Sequence, residues 1–182
     1  LKGRYDGRGF AGYQFQPGVR TVQGELERAL AELLSTKDSL TCAGRTDKGV
    51  HALGQVVRLK LSRQSLSGLR LSELNHKLSP AIEVTQMTTA PPDFHPRYSA
   101  LSRTYSYFVR SDRQTEEPQP EGVFAIPESL DLVKMRAAAR LFEGEHDFST
   151  FSYRSGRTGN VRELDSISID SQAGLTRIRF RG

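Results

Sequence analysis

Apolar positions recur at two spacings along the chain, and the switches between them lay out its elements. Leu1–Asp6 reads as a short strand, and Gly7–Gly18 as a mobile, turn-rich loop with glycine at 7, 9, 12 and 18 and Pro17. Thr21–Leu34 is the best helix: Val22, Leu26, Ala29, Leu30 and Leu33 fall on one face, and Thr21 stands where a cap belongs. Leu40–Ala43 reads as a strand and Gly44–Gly54 as a polar loop. Gln55–Leu61 alternates, with Val57, Leu59 and Leu61 facing one way and Val56, Arg58 and Lys60 the other. Leu69–Leu78 repeats the helical spacing through Leu71, Leu74 and Leu78, and Ile82–Thr88 closes the series as a strand. The order strand, helix, strand, strand, helix, strand matches a split β-α-β, ferredoxin-like unit, with helices on one sheet face and the other face left for ligands.

Three prolines in Pro91–Arg97 break that pattern and set a domain boundary. Leu101–Arg110 then reads as a strand, Ser111–Gly122 as a flexible loop, and Leu130–Phe142 as a helix stopped by Gly144. Leu132, Met135, Ala139 and Phe142 form its inner face. Val161–Asp170 and Leu175–Arg181 are expected as strands joined by a Gln-Ala-Gly turn, with Arg177, Arg179 and Arg181 opposite Ile178 and Phe180. The predicted fold is therefore α+β: two ferredoxin-like (RRM-like) halves, residues 1–97 and 98–182, the second incomplete. Both chain ends fall inside strand text, which suits a piece of a longer protein.

Composition narrows the classes. No apolar run approaches the roughly 18 residues of a membrane span. The one cysteine, Cys42, excludes an internal disulfide framework and any multi-cysteine zinc site, and suits a reducing, cytoplasmic setting. Lys and Arg number 26 against 21 Asp and Glu, a net charge of +5, so a polyanionic partner is favoured only mildly by charge. The histidines at 51, 76, 95 and 146 show no ligand spacing, and His146-Asp147 reads as a turn pair rather than a metal site. No phosphate-binding glycine motif follows a strand, so a nucleotide cofactor has no support.

The densest chemistry lies in Ala43–Ala52, where Arg45, Thr46, Asp47, Lys48 and His51 leave a strand end between glycines. Asp47, between cations at 45 and 48, suits a base, metal ligand or nucleophile; the plainer reading is an Asx turn beside a surface ion pair. Tyr105, in Arg103-Thr104-Tyr105-Ser106-Tyr107, suits base stacking on a sheet or ordinary core packing. Arg8, Arg20, Arg58, Lys60, Arg97, Arg103, Arg154 and Arg157 are a solvated set unless a sheet face gathers them.

Taken together these motifs resemble the TruA-type tRNA pseudouridine synthases. The carriers are Tyr5-Asp6-Gly7 with Gly9, Phe10, Gly12 and Gln14; Thr21-Val22-Gln23-Gly24 with Leu26; and Gly44–Ala52 with Gly54-Gln55-Val56. Phe94-His95-Pro96-Arg97 with Ser99 and Ala100, the Arg103–Tyr107 stretch, and Gly144–Phe148 with Phe151 continue the likeness along the chain. The resemblance implies conversion of uridine to pseudouridine in RNA, without a cofactor or metal. It implies Asp47 as nucleophile, Arg45 as the residue that helps flip the uridine and hold the site, and Tyr105 stacking on the uracil. Lys48, His51, Arg58, Arg97 and Arg103 are expected as further RNA contacts.

The same likeness implies one broad antiparallel sheet with helices on one face, a homodimer, and tRNA bound through its anticodon arm. It also implies a segment beyond Gly182 whose basic residue pairs with the catalytic Asp. Tyr13 stands where Trp is frequent in the family, and Lys48 where many bacterial members have Ala. The rival readings are an RNA-binding module that keeps the cleft without turnover, and a plain interaction domain with a Gly-rich loop.

Overall fold

A computed structural model describes residues 1–34, 40–61, 65, 68–111, 122–151 and 160–182. These residues cluster into two compact units, Leu1–Ala100 and Leu101–Gly182. Arg154, Arg157 and most of the predicted Ser111–Gly122 loop lie outside the described residues.

In the first unit the elements run β1 (Lys2–Tyr5), α1 (Val22–Leu34), β2 (Thr41–Cys42), β3 (Ala52–Arg58), α2 (Leu71–Lys77) and β4 (Ile82–Gln86). The four strands pair antiparallel in the order β2-β3-β1-β4. Helix α1 forms where its spacing predicts. Val22, Leu26, Ala29 and Leu30 are buried on one face, and the Thr21 hydroxyl accepts from the Gly24 N–H at 3.2 Å, relieving one of the free donors of the first turn. Leu74 and Leu78 of the α2 segment join the same core as Tyr5, Val57, Ile82 and Val84. Asn75 ties α2 to the edge strand: its side chain accepts from the Val84 N–H at 2.8 Å and donates to the Val84 carbonyl at 2.9 Å.

The Gly7–Gly18 segment differs from the mobile loop expected. It holds a 3-10 turn at Gly7–Gly9, and Phe10 and Tyr13 are among the most buried side chains described. Aromatic side chains offer large apolar area, so Phe10 and Tyr13 pack into the core, while residues 14–18 stay exposed.

The second unit runs β5 (Thr104–Ser111), β6 (Val123–Ile126), α3 (Leu132–Arg140), β7 (Gly144–Asp147), β8 (Val161–Leu164), β9 (Ser166–Gln172) and β10 (Leu175–Arg181). Its main sheet has the order β6-β5-β10-β9, and β7 pairs with β8 separately. Three differences from expectation appear. Strands β6 and β7 were not expected. The single strand expected over Val161–Asp170 is two, broken at Asp165. β6 lies parallel to β5, so this sheet is mixed rather than antiparallel. The β9–β10 hairpin turns through Ala173 and Gly174, both at positive φ, the backbone that matches the twist of its strands. Asp131 caps α3 by accepting from the Lys134 N–H at 3.0 Å, and Arg136 donates to the Ile169 carbonyl on β9 at 3.0 Å. Leu132, Met135, Ala139 and Phe142 are the less exposed positions of that helix and its end, as its pattern predicts.

Candidate active site

The loop between β2 and β3 gathers Arg45, Asp47, Lys48 and His51. Local chemistry holds it in shape. The Ala43 N–H donates to the Val56 carbonyl at 2.8 Å, continuing the strand pairing to the loop's root. Gln55, buried in β3, folds back: its amide donates to the Gly44 carbonyl at 2.6 Å and to the Tyr5 hydroxyl at 3.3 Å. Tyr5 in turn shares a 2.8 Å hydrogen bond with the Thr46 hydroxyl. Burial raises the Tyr5 phenol above its ordinary value while the bonds to Thr46 and Gln55 oppose that shift, so it stays neutral at ordinary pH.

The first connection of the unit grips the same loop from outside. The Tyr13 N–H donates to the Thr46 carbonyl at 2.9 Å. A Cβ at Gly7 would lie 2.1 Å from the Val50 carbonyl oxygen, so only glycine permits this approach. Gly12, at φ +119, faces the Thr46 carbonyl in the same way. The pairing of β1 with β3 slips between Gly3 and Tyr5: Gly3 faces Gln55, but Tyr5 faces Ala52. This bulge aims the Tyr5 ring end toward the loop.

On that support Asp47 is exposed, and among the described residues its carboxylate has no hydrogen-bond or ion-pair partner. Arg45 and Lys48 are exposed beside it in sequence. His51 Nδ1 lies 3.4 Å from Asp6 Oδ1, and Asp6 is also bound by Arg8. Burial pushes the Cys42 thiol up, and the guanidinium groups of Arg45 and Arg97 pull it the other way. Both cations therefore act on the root of the loop. Arg58 donates to the Pro92 carbonyl at 3.0 Å, and the Arg97 N–H donates to His95 Nδ1 at 3.2 Å. Chemically, a carboxylate open to solvent on a braced loop, with cations beside it in sequence, could act as a nucleophile.

Two predicted residues belong to the second unit. Arg103 exchanges backbone hydrogen bonds with Gly182 beside the β5–β10 pair, and Tyr105 stands opposite Phe180 in that pair, 49% exposed. Tyr105 and Tyr107 thus share the face of Phe180 and Ile178, away from Arg177, Arg179 and Arg181. Among the described residues no group of three or more His, Cys, Asp and Glu is placed to hold a metal ion.

Residues 2–99 match the family described as tRNA pseudouridine synthase. The chain belongs to the tRNA pseudouridine synthase family. It is 38% identical over 181 residues to tRNA pseudouridine synthase A of Bacillus sp. (strain KSM-64), covering 98% of this chain and 74% of that protein. The protein of the same name in Thermotoga maritima is 38% identical over 167 residues, covering 91% and 68%. That of Geobacillus sp. (strain WCH70) is 42% identical over 180 residues, covering 98% and 73%.

Sequence reading did not single out Tyr5 and Gln55 as supports of the Asp47 loop. A signal was available: Gln55 is a polar residue between Gly54 and two valines in a strand, and a buried amide there must find partners.

Proposed function

We propose that this chain isomerises uridine to pseudouridine in tRNA with Asp47 as nucleophile. The observation that carries the reading is the open, unpartnered carboxylate of Asp47 on a loop braced by Tyr5, Thr46 and Gln55, within a chain of this family. In the reaction the bond between uracil N1 and ribose C1′ breaks, and the base rotates. A bond from uracil C5 to C1′ forms, C5 loses its proton, and N1 gains one. Reactant and product are isomers, so no electrons enter or leave and no group donor takes part. Asp47 attacks either C1′ or uracil C6; each route forms and later breaks one bond to the carboxylate oxygen. The target base must leave its stack, at a cost of a few kcal/mol. Arg45 fills the space it leaves, and Tyr105 stacks on the ring; the half-exposed phenol supports that role. Lys48, His51, Arg58, Arg97 and Arg103 take the RNA backbone.

The first unit is read as a ferredoxin-like half, which its element order and antiparallel β2-β3-β1-β4 sheet support. The second unit, with its helix α3 against β9, is read as the partner half. The substrate is placed in the tRNA anticodon arm, the enzyme in the cytoplasm, and the assembly as a homodimer. Among the described residues no helix is long and apolar enough to cross a membrane. Exposed Phe124, Leu141 and Phe151 in the second unit support a further contact surface.

The test is release of tritium from tRNA labelled at uridine C5. Asp47→Ala is expected to lower it by roughly 10^3-fold or more while tRNA affinity holds. Undiminished release in the variant removes Asp47 from the mechanism. A parent chain that retains tRNA and releases no tritium is an RNA-binding module instead.

A further inference from the structure

The segment after β4 carries an aromatic side chain that the reaction itself does not use. We propose that Tyr98 is a stacking platform for an unpaired nucleotide of the RNA substrate, apart from the uridine being modified. The inference rests on the tRNA reading above and extends it to a second base.

Tyr98 is 78% exposed, yet its ring is held in place. On one side the His95 ring backs it, with centroids 4.4 Å apart and planes tilted by 33°. His95 is fixed in turn. Its Nδ1 accepts from the Arg97 N–H at 3.2 Å and more weakly from the Tyr98 N–H at 3.4 Å. The His95 N–H donates to the Ser99 hydroxyl at 3.1 Å, and its carbonyl accepts from the N–H groups of Ser99 at 2.8 Å and Tyr98 at 3.1 Å. Pro96 between them is fully buried and anchors the turn to the unit. A ring held this way loses little freedom when a flat ligand settles on it.

The chemistry around the ring points to a nucleotide rather than an apolar peptide. The Arg97 guanidinium lies 5.9 Å from the Tyr98 centroid, at the outer limit of cation–π range, and leaves most of the ring open. Arg58 reaches into the same segment through the Pro92 carbonyl. Asp93 is the one acidic residue in the sequence from Pro91 to Ala100. An open aromatic face with the Arg97 guanidinium at its edge suits a base on the ring and its phosphate on the arginine. Arg97, next to Tyr98 in sequence, acts with Arg45 on the Cys42 thiol at the root of the loop that carries Asp47. A nucleotide near the target uridine would thereby be gripped as its neighbour is drawn out.

The chain contains no tryptophan, so Tyr98→Trp installs a sole indole at an exposed position. Adding unmodified tRNA should quench its emission, with the midpoint seen for the same variant by filter retention. Tyr98→Phe should keep the parent affinity, and Tyr98→Ala should weaken tRNA binding about tenfold. Indole emission unchanged at tRNA concentrations where retention is saturated would overturn the proposal. So would a Tyr98→Ala variant that binds as tightly as the parent. These readouts follow binding and not turnover, so a chain that quenches with tRNA but forms no pseudouridine sinks the proposed activity and leaves the platform standing.

Discussion

Asp6 shows how one side chain near the site serves stability and not chemistry. The Arg8 side chain and then its backbone N–H hold the Asp6 carboxyl down at about 2, with a smaller pull from His51. An unfolded aspartate titrates near 3.9, so the folded value is the lower one. Its contribution is therefore full above about pH 4 and is lost as pH falls toward about 2. The group is half-buried and still in reach of solvent, so the effect is modest. Asp6→Asn should accordingly be less stable than the parent at pH 6, with the gap closing as acid titrations pass from about pH 4 to 2. A gap that stays constant through that window would show that the Arg8 contact does not set the carboxyl's affinity for protons. Asp47 contrasts with it: the same functional group, left without a partner among the described residues, remains free to react.

At the scale of elements, the loop that carries Asp47 is shaped by segments distant in sequence. Gly7 lets the 3-10 turn press against the loop at Val50. Gly7→Ala forces one of them to move, because the obstructing atom is a backbone carbonyl. Displacements of about 1 Å at a catalytic group cost roughly 100-fold, and overpacking costs about 1–3 kcal/mol of stability. The variant should lose pseudouridine formation by about that factor, read as kcat, and melt earlier. Parent-like kcat with a lowered melting point would show that the loop does not depend on this contact. The same dependence explains what the sequence discloses. Helix α1 and strand β10 are legible because each carries its own apolar period and its own cap or turn. β7 is not: Gly-Glu-His-Asp has no apolar position, and it is a strand because β8 pairs with it. β6 escapes for a related reason, being four residues placed by a parallel neighbour. The candidate site divides likewise. Asp47 and its cations are adjacent in sequence and readable there, whereas the Tyr5–Thr46–Gln55 brace exists only after β1 and β3 have met.

Across the whole molecule, packing and charge are unevenly shared. Among the described residues the first unit holds nearly all the buried apolar side chains; Ala139 and Ile169 are those of the second. The unit with more of these buried side chains is the one that carries the Asp47 loop, which suits a proposed site whose groups must keep their geometry. Net charge is only +5, too little to bring RNA by overall attraction, so affinity must come from particular arginines near phosphates. Each such contact releases about one counterion and steepens the fall of affinity with salt. Arg58, bonded to the Pro92 carbonyl, is the one proposed above to make such a contact; Arg28, paired with Glu32 on α1, is a cation outside the proposed site. Arg58→Gln should make the slope of log affinity against log salt shallower by about one, while Arg28→Gln leaves it unchanged. Equal changes in both would mean that tRNA senses total charge, and the assignment of phosphate contacts to this side of the first unit would fail.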